Sequence, residues 1–195
     1  MRLYEYFYIM TVDTDVIYLN ETFLIERGKK RLCYTHPLKD KVCLKVEIGS
    51  KNLNQQDLDA FHKIHPLLGS YLPKYYGIKK TSKGPALECE LIIDDTGQPS
   101  KSLYHHLNEG MPENVYHELD KFFEIILTQD IYLYDLNPKN FLVQNNHGKQ
   151  KLRFIDLKNL NKSNSILPLE KYRFFAQRKL KRRIKRFNKK FITNK

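Results

Sequence analysis

The sequence predicts an α+β fold: an antiparallel, β-rich N-terminal lobe with one helix over approximately residues 1–93, then a reduced helical lobe over approximately 94–195 ending in a basic amphipathic helix, 168–192. Three observations predict it. Short runs of β-branched and aromatic residues, separated by turn residues, crowd the first half. The clearest helical period follows Pro112 in the second half. Residues 168–195 carry 12 Lys or Arg against the single acid Glu170, although the chain as a whole has a net charge of +12. The rest of the chain is therefore near neutral. No internal repeat or low-complexity linker divides it, so the two lobes read as one domain.

In order, "VIYLNETFLIE" (16–26) mixes β-branched, aromatic and polar residues as strands do, and Gly28 breaks it. "RLCYTHP" and "KVCLKVEI" follow as two strands around a Pro-Leu-Lys-Asp turn, which makes an antiparallel meander. In "NLNQQDLDAFHKIHPLL" the residues Leu53, Leu58, Phe61, Ile64 and Leu68 share a helical face, with Asn52 or Ser50 as the expected cap. "YYGIKKT" and "ALECELII" close the sheet. "DDTGQPS" is turn chemistry, and Ser100 is the expected cap of a short helix.

Pro112 opens a longer helix in which Val115, Leu119, Phe122, Phe123, Ile126 and Leu127 keep the 3.6-residue period as far as Asp130. "FLVQ", a "NNHGK" turn and "KLRFIDL" predict a hairpin. In the tail, Ala176, Leu180, Ile184, Phe187 and Phe191 form an apolar stripe among Lys and Arg.

No apolar run reaches the roughly 18 residues that a membrane-spanning helix needs. The N-terminus meets acids too early for a signal peptide. Cys33, Cys43 and Cys89 are odd in number and lack metal-ligand spacing, so they read as buried or free thiols in a reducing cytoplasm. The histidines form no zinc pair backed by an acid, and no Ser-His-Asp arrangement is legible. The basic tail calls for an anionic partner. Its stripe is expected to pack on the helical lobe. Its charged face suits anionic lipid or a lipopolysaccharide precursor at the inner membrane, whereas no recognised nucleic-acid module accompanies the charges.

The candidate chemistry is phosphoryl transfer. It requires a cation on the phosphates, oxygen ligands for Mg2+ and a carboxylate at the acceptor. Lys45 lies in the strand "VCLKV", flanked by apolar residues. Asp57, early in the next helix, is a candidate partner for it, with Asp59 the alternative. Asp135 and Asn140 in "YDLNPKN" keep the Asp-x-x-x-x-Asn spacing of a kinase catalytic loop, and "FIDLK" sets Asp156 at the end of the hairpin. In this order they resemble a protein-kinase-like fold that binds ATP and Mg2+. Asp135 would then orient the acceptor, and Asn140 and Asp156 would hold the metal.

"GKKRLCYTHP" (28–37), "CLKV" (43–46), "LPKYYG" (72–77), "DTGQPS" (95–100) and "LNPKNFLV" (136–143) resemble the YrbL family of bacterial PhoP-regulated proteins, whose fold is kinase-like. "ELII" before "DDTG" also resembles the hinge of lipopolysaccharide sugar kinases. That likeness implies that the backbone of Glu90, Leu91 and Ile92 receives adenine. Gly28 stands where kinases keep a glycine-rich loop, and Arg31, Lys29 or Lys30 would substitute charge for the missing glycines. The pattern departs from protein kinases at Leu133, Tyr134 and Asn137 in the loop, and at Leu157–Lys158 after Asp156. Only 39 residues follow Asp156, which favours a non-peptide hydroxyl acceptor, envelope-related or lipopolysaccharide-like, over a peptide. Two alternatives stand beside a phosphotransferase. One is a pseudokinase that binds nucleotide as a regulator. The other is a basic adaptor that uses the fold only as architecture. The location expected is cytoplasmic, peripheral to the inner membrane where the tail docks.

Overall fold

The computed structural model describes residues 15–49, 52–133, 135–157, 160 and 172–193. Five strands form one antiparallel sheet: β1 (Leu24–Arg27), β2 (Arg31–Thr35), β3 (Val42–Glu47), β4 (Tyr75–Thr81) and β5 (Gly84–Glu90), in the order β1-β2-β3-β5-β4. Helix α1 (Leu53–Leu68) connects β3 to β4. Helices α2 (Leu103–Glu109) and α3 (Glu113–Thr128) follow, then the hairpin of β6 (Phe141–Asn146) and β7 (Lys149–Phe154). Helix α4 (Arg173–Asn188) runs into a π turn, Lys189–Thr193. Among the described residues, no helix is long and apolar enough to cross a membrane.

Three local expectations change. Of residues 16–26, β1 takes only the end, because Asn20 accepts a hydrogen bond from Thr22 N at 3.0 Å and caps a 3-10 turn, Glu21–Phe23. Local side-chain capping outcompetes β propensity there. Ile17 still makes an isolated parallel bridge to Thr81. At α1, Asn52 makes no side-chain cap; Glu47 Oε1, from the end of β3, accepts from Asn54 N at 2.6 Å instead. Ser50 lies outside the described residues. At α2 the cap is Ser102, and Ser100 donates its hydroxyl to Asp94 at 2.5 Å.

The sheet's two faces bury different clusters, as the two-residue period of strands requires. On one face, Tyr34, Leu44, Val46 and Ala86 lie beneath Leu19. On the other, Cys43, Leu87 and Cys89 join Phe61, Ile64 and Leu68 of α1. That second cluster continues without a break through Phe122 and Phe123 of α3, Phe141 and Phe154 of the hairpin, and Leu180, Ile184 and Phe187 of α4. One core therefore ties the sheet to the helical part. The tail's stripe packs, with Phe187 5.4 Å from Phe123 and 6.0 Å from Phe141 between ring centroids. Lys181, Arg182, Arg183, Lys185 and Arg186 face outward. Residues 168–171, the expected start of this helix, lie outside the described residues.

Replacing Phe187 with Ala should cost about 3–5 kcal/mol, read as a lowered urea midpoint, whereas Arg182→Ala should stay within about 0.5 kcal/mol. His36 supplies a pH test. It is buried beside Glu88, accepts from Leu38 N at its Nδ1 (3.0 Å), and holds Nε2 3.5 Å from Glu88 Oε1. Burial pulls its imidazole below the ordinary value; Glu88 opposes that, and Lys39 and Lys79 reinforce it. The unfolded chain therefore binds this proton more readily. Stability present above about pH 6.5 is lost as the pH falls toward the depressed folded value. Acidification from about pH 7 to about pH 5 should lower Tm less in His36→Asn than in the native protein.

Candidate functional site

Strand alternation places Lys45 on the same face of the sheet as Cys43, toward the core and the hairpin. Its Nζ donates to the carbonyl of Ile155 at 3.2 Å and lies 5.6 Å from the centre of the Tyr75 ring. Burial by itself disfavours the ammonium, but Tyr75, Cys89 and Asp57 outweigh it, and the net direction is upward. Lys45 stays charged at neutral pH.

Asp57 is buried in α1, and the geometry gives it a different partner from the one expected. Arg31 Nη1 meets Asp57 Oδ2 at 2.5 Å and Asn54 Oδ1 at 3.2 Å. Burial pushes the Asp57 carboxyl upward, against Arg31 and Lys45, while Asp57 outweighs burial at Arg31 and strengthens its hold on the proton. The guanidinium governs the pair, since it does not release a proton at neutral pH. Asp57 Oδ1 has no hydrogen-bond partner among the described residues. Asp57 reaches the arginine on β2 while Lys45 extends to Ile155. Asp59 bonds instead to Gln55 on the surface of α1.

The loop after α3 is held from both ends. Ile131 and Leu133 are buried, and Pro138 opens a 3-10 turn, Pro138–Asn140, capped by Asn137 Oδ1 accepting from Lys139 N at 3.0 Å. Tyr134 lies outside the described residues. Asn140 Nδ2 donates to the Asp135 carbonyl at 3.2 Å, so the spacing of five closes into one turn. The hairpin register pairs Phe141 with Phe154, and the ladder extends one residue further, with Ile155 N donating to Asn140 O at 2.9 Å. Asp156 therefore emerges beside Asn140. Leu157, fully buried, anchors the chain just past it; Lys158 lies outside the described residues.

Lys45, Asp135, Asn140 and Asp156 line one cavity of about 440 Å³ together with Gly28, Lys29, Lys30, Arg31, Cys33 and Lys139. Its carboxylate and amide oxygens suit a hard cation such as Mg2+, which takes few protein ligands and keeps waters and phosphate oxygens. Among the described residues no group of three or more His, Cys, Asp or Glu forms a metal cluster. Above the cavity, Gly28–Lys30 is a tight turn closed by Gly28 N donating to Arg31 O at 2.9 Å. A Cβ at Gly28 would meet that oxygen at 3.0 Å, so the approach needs glycine. The turn brings its two lysines and Arg31 to the cavity.

Glu90 ends β5, Leu91 and Ile92 follow it, and none of the three lines this cavity. Leu91 N donates to Lys41 O at 2.9 Å, and Ile92 O accepts from Ser100 N at 2.9 Å. Glu90 O and Ile92 N take no part in these bonds. Arg153, on β7, fixes this segment and was not legible as a site residue. Its Nη2 meets Glu90 Oε2 at 2.6 Å and Leu72 O at 3.0 Å, and Nη1 meets Gln144 Oε1 at 3.0 Å. The available signal is an arginine set between Leu152 and Phe154, both buried. Lys139 lines the cavity, with its Nζ 5.0 Å from the centre of the Tyr104 ring.

The family model described as PhoP regulatory network protein YrbL matches residues 17–192. The YrbL proteins of Escherichia coli (strain K12) and Shigella flexneri are each 28% identical over 94 residues, 45% of this chain and 45% of theirs. The match thus spans less than half the length of these relatives. Among solved structures, Rad53 1–466 in complex with AMP-PNP superposes with a TM-score of 0.55 at 14% identity, over 80% of this chain and 43% of that one. The fold is kinase-like.

Removing the Arg153 side chain takes the charged donor from Glu90 Oε2, which keeps Lys74 N at 2.9 Å, and leaves the Leu72 and Gln144 carbonyls without theirs. Arg153→Ala should cost about 2–3 kcal/mol in urea unfolding, and Glu90→Gln, which keeps a hydrogen-bond acceptor, should cost less.

Proposed function

The chain belongs to the YrbL family of PhoP regulatory network proteins, and on that premise we propose that its cleft binds ATP with Mg2+ and transfers the terminal phosphoryl group to a non-peptide hydroxyl. One observation carries the reading: Lys45 from β3, Asp135 and Asn140 from the loop after α3, and Asp156 from beyond the hairpin line a single cavity. Lys45 holds the phosphates from the sheet side, assisted by Arg31 and the lysines of the Gly28 turn. Asp156 and Asn140 hold the metal, which when bound neutralises the charge that develops on the transferring phosphate. Asp135 orients the acceptor hydroxyl and takes its proton as the new oxygen–phosphorus bond forms and ADP leaves. Glu90 O and Ile92 N form the adenine edge, held in place by Arg153.

The acceptor class rests on the tail. α4 buries its apolar stripe and turns a dense cationic face outward, with Tyr172, Phe174 and Phe175 exposed at its start. Aromatic and basic side chains side by side suit an anionic lipid or lipopolysaccharide-like surface, at which an envelope-related acceptor is presented. A second reading, a nucleotide-binding regulator with little transfer activity, is favoured by the short Gly28 turn and by Arg31 occupying Asp57.

ATP should raise Tm only when Mg2+ is present, by an amount equivalent to about 2.7 kcal/mol at a ligand concentration near 100 times Kd. Asp156→Ala should abolish that rise. Asp135→Ala should keep it while ATP turnover disappears; turnover that survives Asp135→Ala would remove the acceptor role, and binding without turnover in the native chain would favour the regulator.

A further inference from the structure

Three thiols that phosphoryl transfer does not use meet at the back of the cleft. Cys43 and Cys89 are directly opposite in the β3–β5 ladder, both buried, with their sulfurs 3.3 Å apart. Leu91 N donates to Lys41 O, which phases the ladder so that 43 and 89 also form a closely hydrogen-bonded pair. Such pairs have Cα atoms about 5.5 Å apart, inside the range a disulfide spans. The third thiol, Cys33, is half-buried on β2 and is the cysteine that lines the cavity. Cys33 pairs in register with Lys45, so it lies diagonal to Cys43. Diagonal neighbours are about 7–8 Å apart, at or beyond the limit for an unstrained disulfide.

We propose that this cluster is an oxidation site, in which a peroxide reaching the cavity is reduced and a Cys43–Cys89 disulfide is the stable product. The Cys33 sulfur attacks one peroxide oxygen; the O–O bond breaks, water leaves, and Cys33 becomes a sulfenic acid. Cys43 attacks that sulfur, a strained and therefore transient S–S bond forms, and a second water leaves. Cys89 then attacks the Cys43 sulfur, the Cys33–Cys43 bond breaks, and Cys33 is released as a thiol. Two thiols are oxidised and one peroxide becomes two waters. In the reduced cluster, hydrogen bonding from Cys43, and then the Lys45 ammonium, hold the Cys89 thiol below its ordinary value against burial; once Cys43 is bonded to Cys33, the Lys45 ammonium remains to favour the attacking Cys89 thiolate. The product also touches the adenine edge, since Cys43 Sγ is 3.8 Å from Glu90 O and Cys89 immediately precedes Glu90. Closing the sulfurs to about 2.05 Å shifts that carbonyl. This consequence for nucleotide rests on the function proposed above, whereas the oxidation chemistry does not.

The test treats the full chain with hydrogen peroxide, alkylates remaining thiols under denaturing conditions, and maps peptides without reduction. A Cys43–Cys89-linked peptide is expected, reversed by dithiothreitol and formed more slowly in Cys33→Ser. Three alkylated thiols, a product linked through Cys33, or links only between chains would overturn the site. The same two redox forms are then heated with ATP and Mg2+. The oxidised form is expected to lose the ATP-dependent rise in Tm, and an equal rise in both forms would overturn the link to the adenine edge. If neither form responds to ATP, the nucleotide reading and its link to this site fall together, and the linked peptide still decides the oxidation chemistry.

Discussion

Arg153 carries a charge into the interior at the junction of three segments, and its guanidinium must be satisfied there. Glu90 at the end of β5, the carbonyl of Leu72 before β4, and Gln144 on β6 each take a share. A planar donor with several N–H groups in fixed directions can serve these acceptors only if they converge. The constraint runs both ways. The hairpin that carries Asp156 is fixed relative to the sheet that carries Lys45, and the Glu90–Ile92 segment is fixed relative to both.

The cavity depends on that alignment and on the hairpin register. Phe141 and Phe154 are locked in an aromatic core, so Asn140 and Ile155 must pair just beyond them, and Asp156 follows. Slipping the register by one residue would turn the phenylalanines outward and separate Asn140 from Asp156. Across the cavity the cations divide their tasks. Lys45 reaches the Ile155 carbonyl, and Arg31 neutralises the buried Asp57. The ion pair of Arg31 with Asp57 offsets the desolvation that would otherwise penalise each of these two buried charges.

Helix α4 joins the core to the surface. Its apolar stripe completes the packing of Phe123 and Phe141, and its cationic face is left to solvent. The helix therefore has to fold with the rest of the chain to present its charge in one direction. At its start Arg173 pairs with Asp130 at 2.8 Å, and Gln177 donates to the Leu127 carbonyl at 2.7 Å. These contacts tie it to the end of α3, from which the Asp135 loop departs.

The sequence by itself determined the element order, the antiparallel sheet, the hairpin, and the amphipathic character of α3 and α4, because periodicity and turn chemistry are local properties. Through the resemblance of their order to a protein-kinase-like fold, it also pointed to Lys45, Asp135, Asn140 and Asp156 as a set. Only the tertiary structure decided how they meet. Asp57 pairs with Arg31, from a strand 26 residues earlier, and no local pattern encodes that contact. The same holds for Arg153, whose acceptors Leu72 and Glu90 lie 81 and 63 residues away. The caps at Glu47 and Ser102 replaced the expected ones because tertiary geometry decides which oxygen reaches a free N–H. The Cys43–Cys89 pair has the same origin: spacing gave two unrelated buried thiols, and strand register brought their sulfurs into contact.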